Sequence, residues 1–176
     1  MRWIYFLIVV LACVVVQTTV AHILWFRTSL GWIGPVFPAA LAVFVALYAR
    51  SGTDAALAGW AVGFALDLAL SGGGLGLSAL LYAAAAGAVY RVREAFFRDR
   101  PLTQMVLVFA FCLFVHELWA AYHVIVLAPG GAGYWRPAVQ AVAVSAYTAA
   151  LAPLVCAPLK RIRRLLIAPS SGRDRI

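Results

Sequence analysis

Residues 54–90 read DAALAGWAVGFALDLALSGGGLGLSALLYAAAAGAVY, and this stretch decides the fold. Two apolar runs flank a glycine-rich break. Ala55, Gly59, Gly63 and Asp67 recur every four residues, which on an α-helix places them along one face. That face is small and backbone-bare at first and ends in a carboxylate. Small residues at this spacing let a second helix approach closely inside a bilayer. A carboxylate there costs roughly 2.5–3.5 kcal/mol to insert, so Asp67 is expected to face protein or water rather than lipid.

The rest of the chain extends the same character. It has 176 residues, 65% of them hydrophobic and 11% charged, whereas an ordinary soluble domain is about 45–50% apolar and about 25% charged. The composition predicts an all-α, polytopic membrane protein. A net charge of +8 would suit nucleic acid if it were spread over a surface. Here the cations sit between apolar runs and at the C-terminus, so no nucleic-acid partner is expected. Cys13, Cys112 and Cys156 lie in apolar runs without metal or redox spacing and read as small packing residues.

Six spans are expected, at Trp3–Trp25, Trp32–Tyr48, Ala55–Leu70, Leu75–Tyr90, Leu102–Leu127 and Trp135–Ala157. The first has a poor signal-peptidase site at Thr19-Val20-Ala21, and the apolar run continues past it, so it is expected to be retained. With both termini inside, all of the 14 Lys and Arg residues except Arg27 and Arg136 face the cytoplasm. Trp25, Phe26, Trp32, Tyr134 and Trp135 then mark the outer rim. Pro35 and Pro38 suit a helix start, and Pro153 and Pro158 are expected to loosen or end span six. Residues 1–158 form the six-helix domain. Residues 159–168 (LKRIRRLLIA) read as an interfacial basic helix or as a plain positive-inside stop signal. Residues 169–176 read as a disordered tail.

In this orientation polar residues gather in the outer half: Gln17, Thr18 and His22 in span one, Asp67 in span three, and His116, Glu117 and His123 in span five. Three uses compete for them: hydrogen-bonded glue between helices, a groove for a partner helix, lipid or solute, and a proton relay or metal site. The text HELWAAYH carries no paired-ligand spacing, and no P-loop, dinucleotide fingerprint or nucleophile elbow occurs. No cofactor, metal or enzymatic activity is expected.

The order G-x-x-x-G-F-x-x-D-L-x-x-S-G-x-x-L-G runs here through Gly59, Gly63, Phe64, Asp67, Leu68, Ser71, Gly72, Leu75 and Gly76. Ala79, Leu80 and Tyr82 follow it, Gln17-Thr18 sits in span one, and Pro38 opens span two. In this the chain resembles the MreD family of bacterial rod shape-determining membrane proteins. It departs where the family carries a second glycine before the aspartate, having Ala65 and Leu66 there. The resemblance implies a non-enzymatic scaffold of the cell-wall elongation machinery in the inner membrane. It implies MreC as partner, and through it RodA, a class B penicillin-binding protein and the MreB filament. It also implies a fold similar to the substrate-binding S component of energy-coupling-factor transporters, so a vitamin-type transporter subunit is the alternative. Gly59, Gly63, Phe64, Asp67, Gly72 and Gly76 are the candidate packing or docking residues, toward a partner, lipid or a second copy of the chain.

Overall fold

A computed structural model of the chain describes residues 3–29, 31–70, 76–95, 100–127 and 133–166. It is mostly helical, with six α-helices. These are α1 (Trp3–Thr19), α2 (Phe37–Tyr48), α3 (Gly52–Leu70), α4 (Leu77–Val92), α5 (Pro101–Tyr122) and α6 (Trp135–Leu166). A π-helical turn, His123–Leu127, extends α5. Two helical stretches, Pro101–Val126 and Trp135–Ile162, are long and apolar enough to cross a membrane.

The bundle is organised around α2. Every residue from Pro38 to Leu47 is buried, and α2 touches each of the other five helices. A helix that is apolar on all sides has no face to give to solvent and belongs in a core. Phe6, Val10 and Val14 of α1, Val62 of α3, Phe111 and Cys112 of α5, and Ala152 and Cys156 of α6 close around it. The most extensive pairings are α3 with α4 and α5 with α6.

The expected spans one and two are shorter than the sequence suggests. Helix α1 stops at Thr19, where the Thr18 and Thr19 hydroxyls turn back onto the carbonyls of Val14 and Val15. The chain then makes a 3-10 turn, Ala21–Leu24, and an antiparallel hairpin of β1 (Phe26–Thr28) and β2 (Gly31–Ile33). Gly31 has φ +123°, a left-handed value that favours glycine. Trp32 therefore lies in a strand, not at the head of a helix. Helix α2 begins only at Phe37, with Val36 as its cap and Pro38 in the first helical turn, where a missing N–H costs least. The hairpin docks on α6. Gln140 Nε2 donates to the Trp32 carbonyl at 2.9 Å, and Phe26 meets Tyr147 edge-on at 5.6 Å.

Helix α6 also departs from expectation. It runs from Trp135 to Leu166 with Pro153 and Pro158 inside it, so neither proline ends it. The basic segment Lys160–Arg164 is the continuation of this same helix. Ser71, Gly72 and Leu75 of the motif, the loop residues Pro129 to Gly131, and the tail from 167 onward lie outside the described residues.

Candidate functional site

The four-residue stripe on α3 is the seam against α4. Gly59 and Gly63 are both buried. A Cβ built on Gly59 would lie 2.5 Å from the Tyr82 carbonyl oxygen and 2.7 Å from Ala86 Cβ. One built on Gly63 would run into the Ser78 carbonyl and come within 2.7 Å of Ala79 Cα. The obstacles at Gly63 are backbone atoms, which cannot rotate away. Glycine is required at both positions for space, and the two helices meet there nearly backbone to backbone.

Asp67 closes the same seam one turn further on. Its Oδ2 accepts the Gly76 N–H at 2.9 Å and the Ala79 N–H at 3.2 Å. Gly76 is the residue that caps α4, with φ +94°. Among the described residues, its chain neighbours aside, no atom lies within 4 Å of a Cβ placed on it. This glycine is thus required for its backbone angle rather than for room. Helix N-termini carry unpaired N–H groups and a partial positive charge. A carboxylate supplied from the preceding helix answers both, and hydrogen bonds to a charged group are worth roughly 1.5–3 kcal/mol each. Gly59, Gly63, Asp67 and Gly76 therefore form one unit, a hairpin of helices locked along its length and at its tip. Phe64 is on the other side of α3, 37% exposed and stacked on Trp60 at 5.2 Å.

Gln17 does for α2 what Asp67 does for α4. It is buried; its Nε2 donates to the Pro35 carbonyl at 2.9 Å and its Oε1 accepts the Phe37 N–H at 2.9 Å. Thr148 of α6 accepts the neighbouring Val36 N–H at 3.1 Å and donates to Val144. The start of the central helix is thus fastened from two sides, a role for Gln17 that its placement in an outer polar cluster does not foresee.

The remaining members of that cluster do not converge with Asp67. His116 Nδ1 donates to the Cys112 carbonyl of its own helix at 2.8 Å. Glu117 accepts the Tyr134 hydroxyl from the start of α6. His123 is exposed and stacks on Trp119. Thr18 bonds within α1. His22 falls in the 3-10 turn, and its side chain lies outside what the structure describes. Among the described residues no group of three or more His, Cys, Asp or Glu comes together. Shared helix faces fix direction along one helix, but not which neighbour that face meets, and here each group finds a nearer partner.

One cation had no such reading in the sequence. Arg93, counted by the sequence among the charges that face the cytoplasm, is buried. Its guanidinium donates to the Ala49 carbonyl and lies 3.8 Å from the centre of the Tyr90 ring. Tyr90 in turn donates to the Arg50 carbonyl at 3.0 Å. Together they hold the α2–α3 turn, satisfying carbonyls that a helix end leaves unpaired. Only its position, one turn after Tyr90, hints at this.

No family model, curated protein or solved structure matches the chain.

Proposed function

We propose that the chain is a multi-pass membrane protein, its six helices embedded in the bacterial inner membrane with both termini cytoplasmic. It serves there as a non-enzymatic scaffold of the cell-wall elongation machinery. The observation that carries this reading is the locked α3–α4 unit, built by the very residues of the resemblance, inside a body whose outer surface is apolar. Large apolar side chains point outward from five helices, among them Ile4 of α1, Leu68 of α3, Leu80 of α4, Leu102 of α5 and Leu154 of α6. Such a surface suits lipid and is foreign to a protein surrounded by water. Helix α2, about 18 Å long at 1.5 Å per residue, is too short to face lipid across a bilayer, and its burial removes that need. The two hydrogen bonds to Asp67 offset the roughly 2.5–3.5 kcal/mol that a carboxylate at membrane depth costs.

A chain whose helices are joined by short connections meets partners within the bilayer or at its rims. By the resemblance, the partner is an MreC-type single-span protein, which brings RodA, its class B penicillin-binding partner and, indirectly, MreB. Gln17, Thr18, Asp67, His116 and Glu117, polar side chains that a vitamin site could recruit, are bonded within the fold, which favours the scaffold reading over the transporter subunit. The test is a tagged purification from native membranes in mild detergent with mass spectrometry of what co-elutes. An MreC-type protein is the expected result. A coupling ATPase with its membrane subunit, or a firmly held small solute, would overturn the proposal in favour of transport.

A further inference from the structure

The hairpin that interrupts the first two helices presents two different faces. Alternate residues of a strand point to opposite sides. Phe26 and Ile33, paired across the strands, belong to one side; Ile33 is buried and Phe26 packs on Tyr147 of α6. Arg27 and Trp32, also paired across the strands, belong to the other side, and both are exposed. Directly opposed residues on one face hold their Cβ atoms about 4.5–5.5 Å apart. A guanidinium and an indole therefore stand side by side.

The contact with α6 brings in a second such pair. Gln140 bonds the Trp32 carbonyl and lies 3.0 Å from where a Gly31 Cβ would be. Arg136 precedes Gln140 by four residues and shares its face of α6, one turn of about 5.4 Å nearer the start of the helix. Arg136 and its neighbour Trp135 are both exposed. Two arginines, each beside an exposed tryptophan, thus lie at the corner where the hairpin rests on α6, Arg27 on the outward face of the hairpin and Arg136 one turn before the Gln140 contact. Among the described residues neither arginine has a carboxylate partner. The carboxylates at this end of the bundle are engaged elsewhere, Asp67 by the start of α4 and Glu117 by Tyr134.

We infer that this corner is a binding site for the phosphate headgroup of an anionic phospholipid in the outer leaflet. Guanidinium groups recognise phosphate oxygens with paired hydrogen bonds. Indole rings settle at the headgroup level of a bilayer. The apolar side chains beside the corner, Ile23 at 82% exposed and Val20 at 46%, supply a surface for the acyl chains. The charge of the site argues for an anionic over a zwitterionic lipid, because two unpaired cations are left with a net positive field. The inference rests on the membrane placement proposed above.

The protein is purified in detergent and reconstituted into nanodiscs of phosphatidylcholine with an added fraction of phosphatidylglycerol. Native mass spectrometry then counts the lipids that stay bound. The wild type is expected to retain phosphatidylglycerol in preference, and the Arg27→Gln/Arg136→Gln double variant to lose that preference by roughly tenfold. Leu154→Ala, an exposed apolar position of α6 far from the hairpin contact, serves as control and keeps it. An unchanged preference in the double variant, or an equal loss in Leu154→Ala, overturns the inference. Inorganic phosphate at millimolar concentration that displaces the lipid fully would assign the corner to a soluble phosphate instead and overturn the lipid assignment. Carbonate extraction of native membranes keeps the two readings apart: release of the wild-type protein by carbonate sinks the membrane placement, whereas retention with no lipid preference sinks only this site.

Discussion

The two most extensive helix pairings, α3 with α4 and α5 with α6, each contain a carboxylate in an apolar run, yet they use it in opposite ways. In α3–α4 the carboxylate of Asp67 reaches across to another helix and completes its N-terminus. The helices are drawn together by bare backbone at Gly59 and Gly63. In α5–α6 Glu117 reaches only to Tyr134 at the exposed rim, and His116 bonds within its own helix. Helix α6 does bury small residues at helical spacing, Ala141, Ser145, Ala149, Ala152 and Cys156, but each carries a side chain, and neither α5 nor α6 has a glycine to bare its backbone. The first pair is held by contacts that have no substitute, the second by side chains that can repack. Tolerance to mutation follows from that difference.

The largest effect is expected where backbone meets backbone. Gly63→Ala places a methyl group against the Ser78 carbonyl and Ala79 Cα, and the helices must separate to admit it. Overpacking of this kind costs about 1–3 kcal/mol. Gly87→Ala in α4 is the matched control, since nothing lies within 4 Å of its added Cβ. It gains helix propensity of about 1 kcal/mol and is expected to be neutral or stabilising. Reversible unfolding in mixed detergent micelles reads both. Equal losses at Gly63 and Gly87 would show that glycine matters here for something other than the seam.

Next comes the tip of the same hairpin. Asp67→Leu leaves the Gly76 and Ala79 N–H groups without their acceptor but also removes the cost of inserting a carboxylate, and is expected to cost a net of about 1–2 kcal/mol, whereas Asp67→Asn keeps one acceptor oxygen and costs about 0.5–1 kcal/mol. Both variants are carried through the co-purification of the proposed partner. If Asp67 acts through the fold alone, partner recovery tracks stability across the two. If Asp67→Asn folds as the wild type yet loses the partner, the residue has a role beyond the cap, and the contrast between the two pairings becomes one of function as well as of packing.

Much of this arrangement was legible in the sequence, and what was not has definite causes. The stripe Ala55, Gly59, Gly63, Asp67 could be read because a helix of 3.6 residues per turn converts a spacing of four into a face. The tight approach then follows from residue size. The hairpin could not be read because strands of three residues leave no alternation to detect. An apolar run through Trp25 looks the same whether it continues as helix or folds back. The sequence puts Gln17 in the outer half of span one, but its service to the start of α2 depends on which helix lies beside it. Arg93 was hidden for the same reason. A cation between apolar runs counts toward orientation whether it faces lipid headgroups or, as here, the carbonyls at the end of α2. The gathering of Asp67, Glu117 and the histidines failed because depth along a helix is legible in sequence, while the azimuth between helices is not.

The smallest effect is expected at the rim of α5–α6, and pH gives it a sign. The Tyr134 hydroxyl donates to Glu117, and that hydrogen bond holds its phenol above the ordinary value. A group whose pKa is raised by folding lends its stability in full below the unfolded value, about 10 for tyrosine. It loses that contribution as pH rises through the folded value. Tyr134→Phe and the wild type should therefore differ slightly at pH 8 and converge in strongly alkaline buffer. The pair is exposed to solvent, which screens it and keeps the difference near the limit of measurement. Unfolding curves at pH 8 and pH 11 decide the matter. A loss in Tyr134→Phe at pH 8 as large as that of Gly63→Ala would mean that the rim fastens α5 to α6 as firmly as the seam fastens α3 to α4. The two pairings would then be built on one principle rather than two.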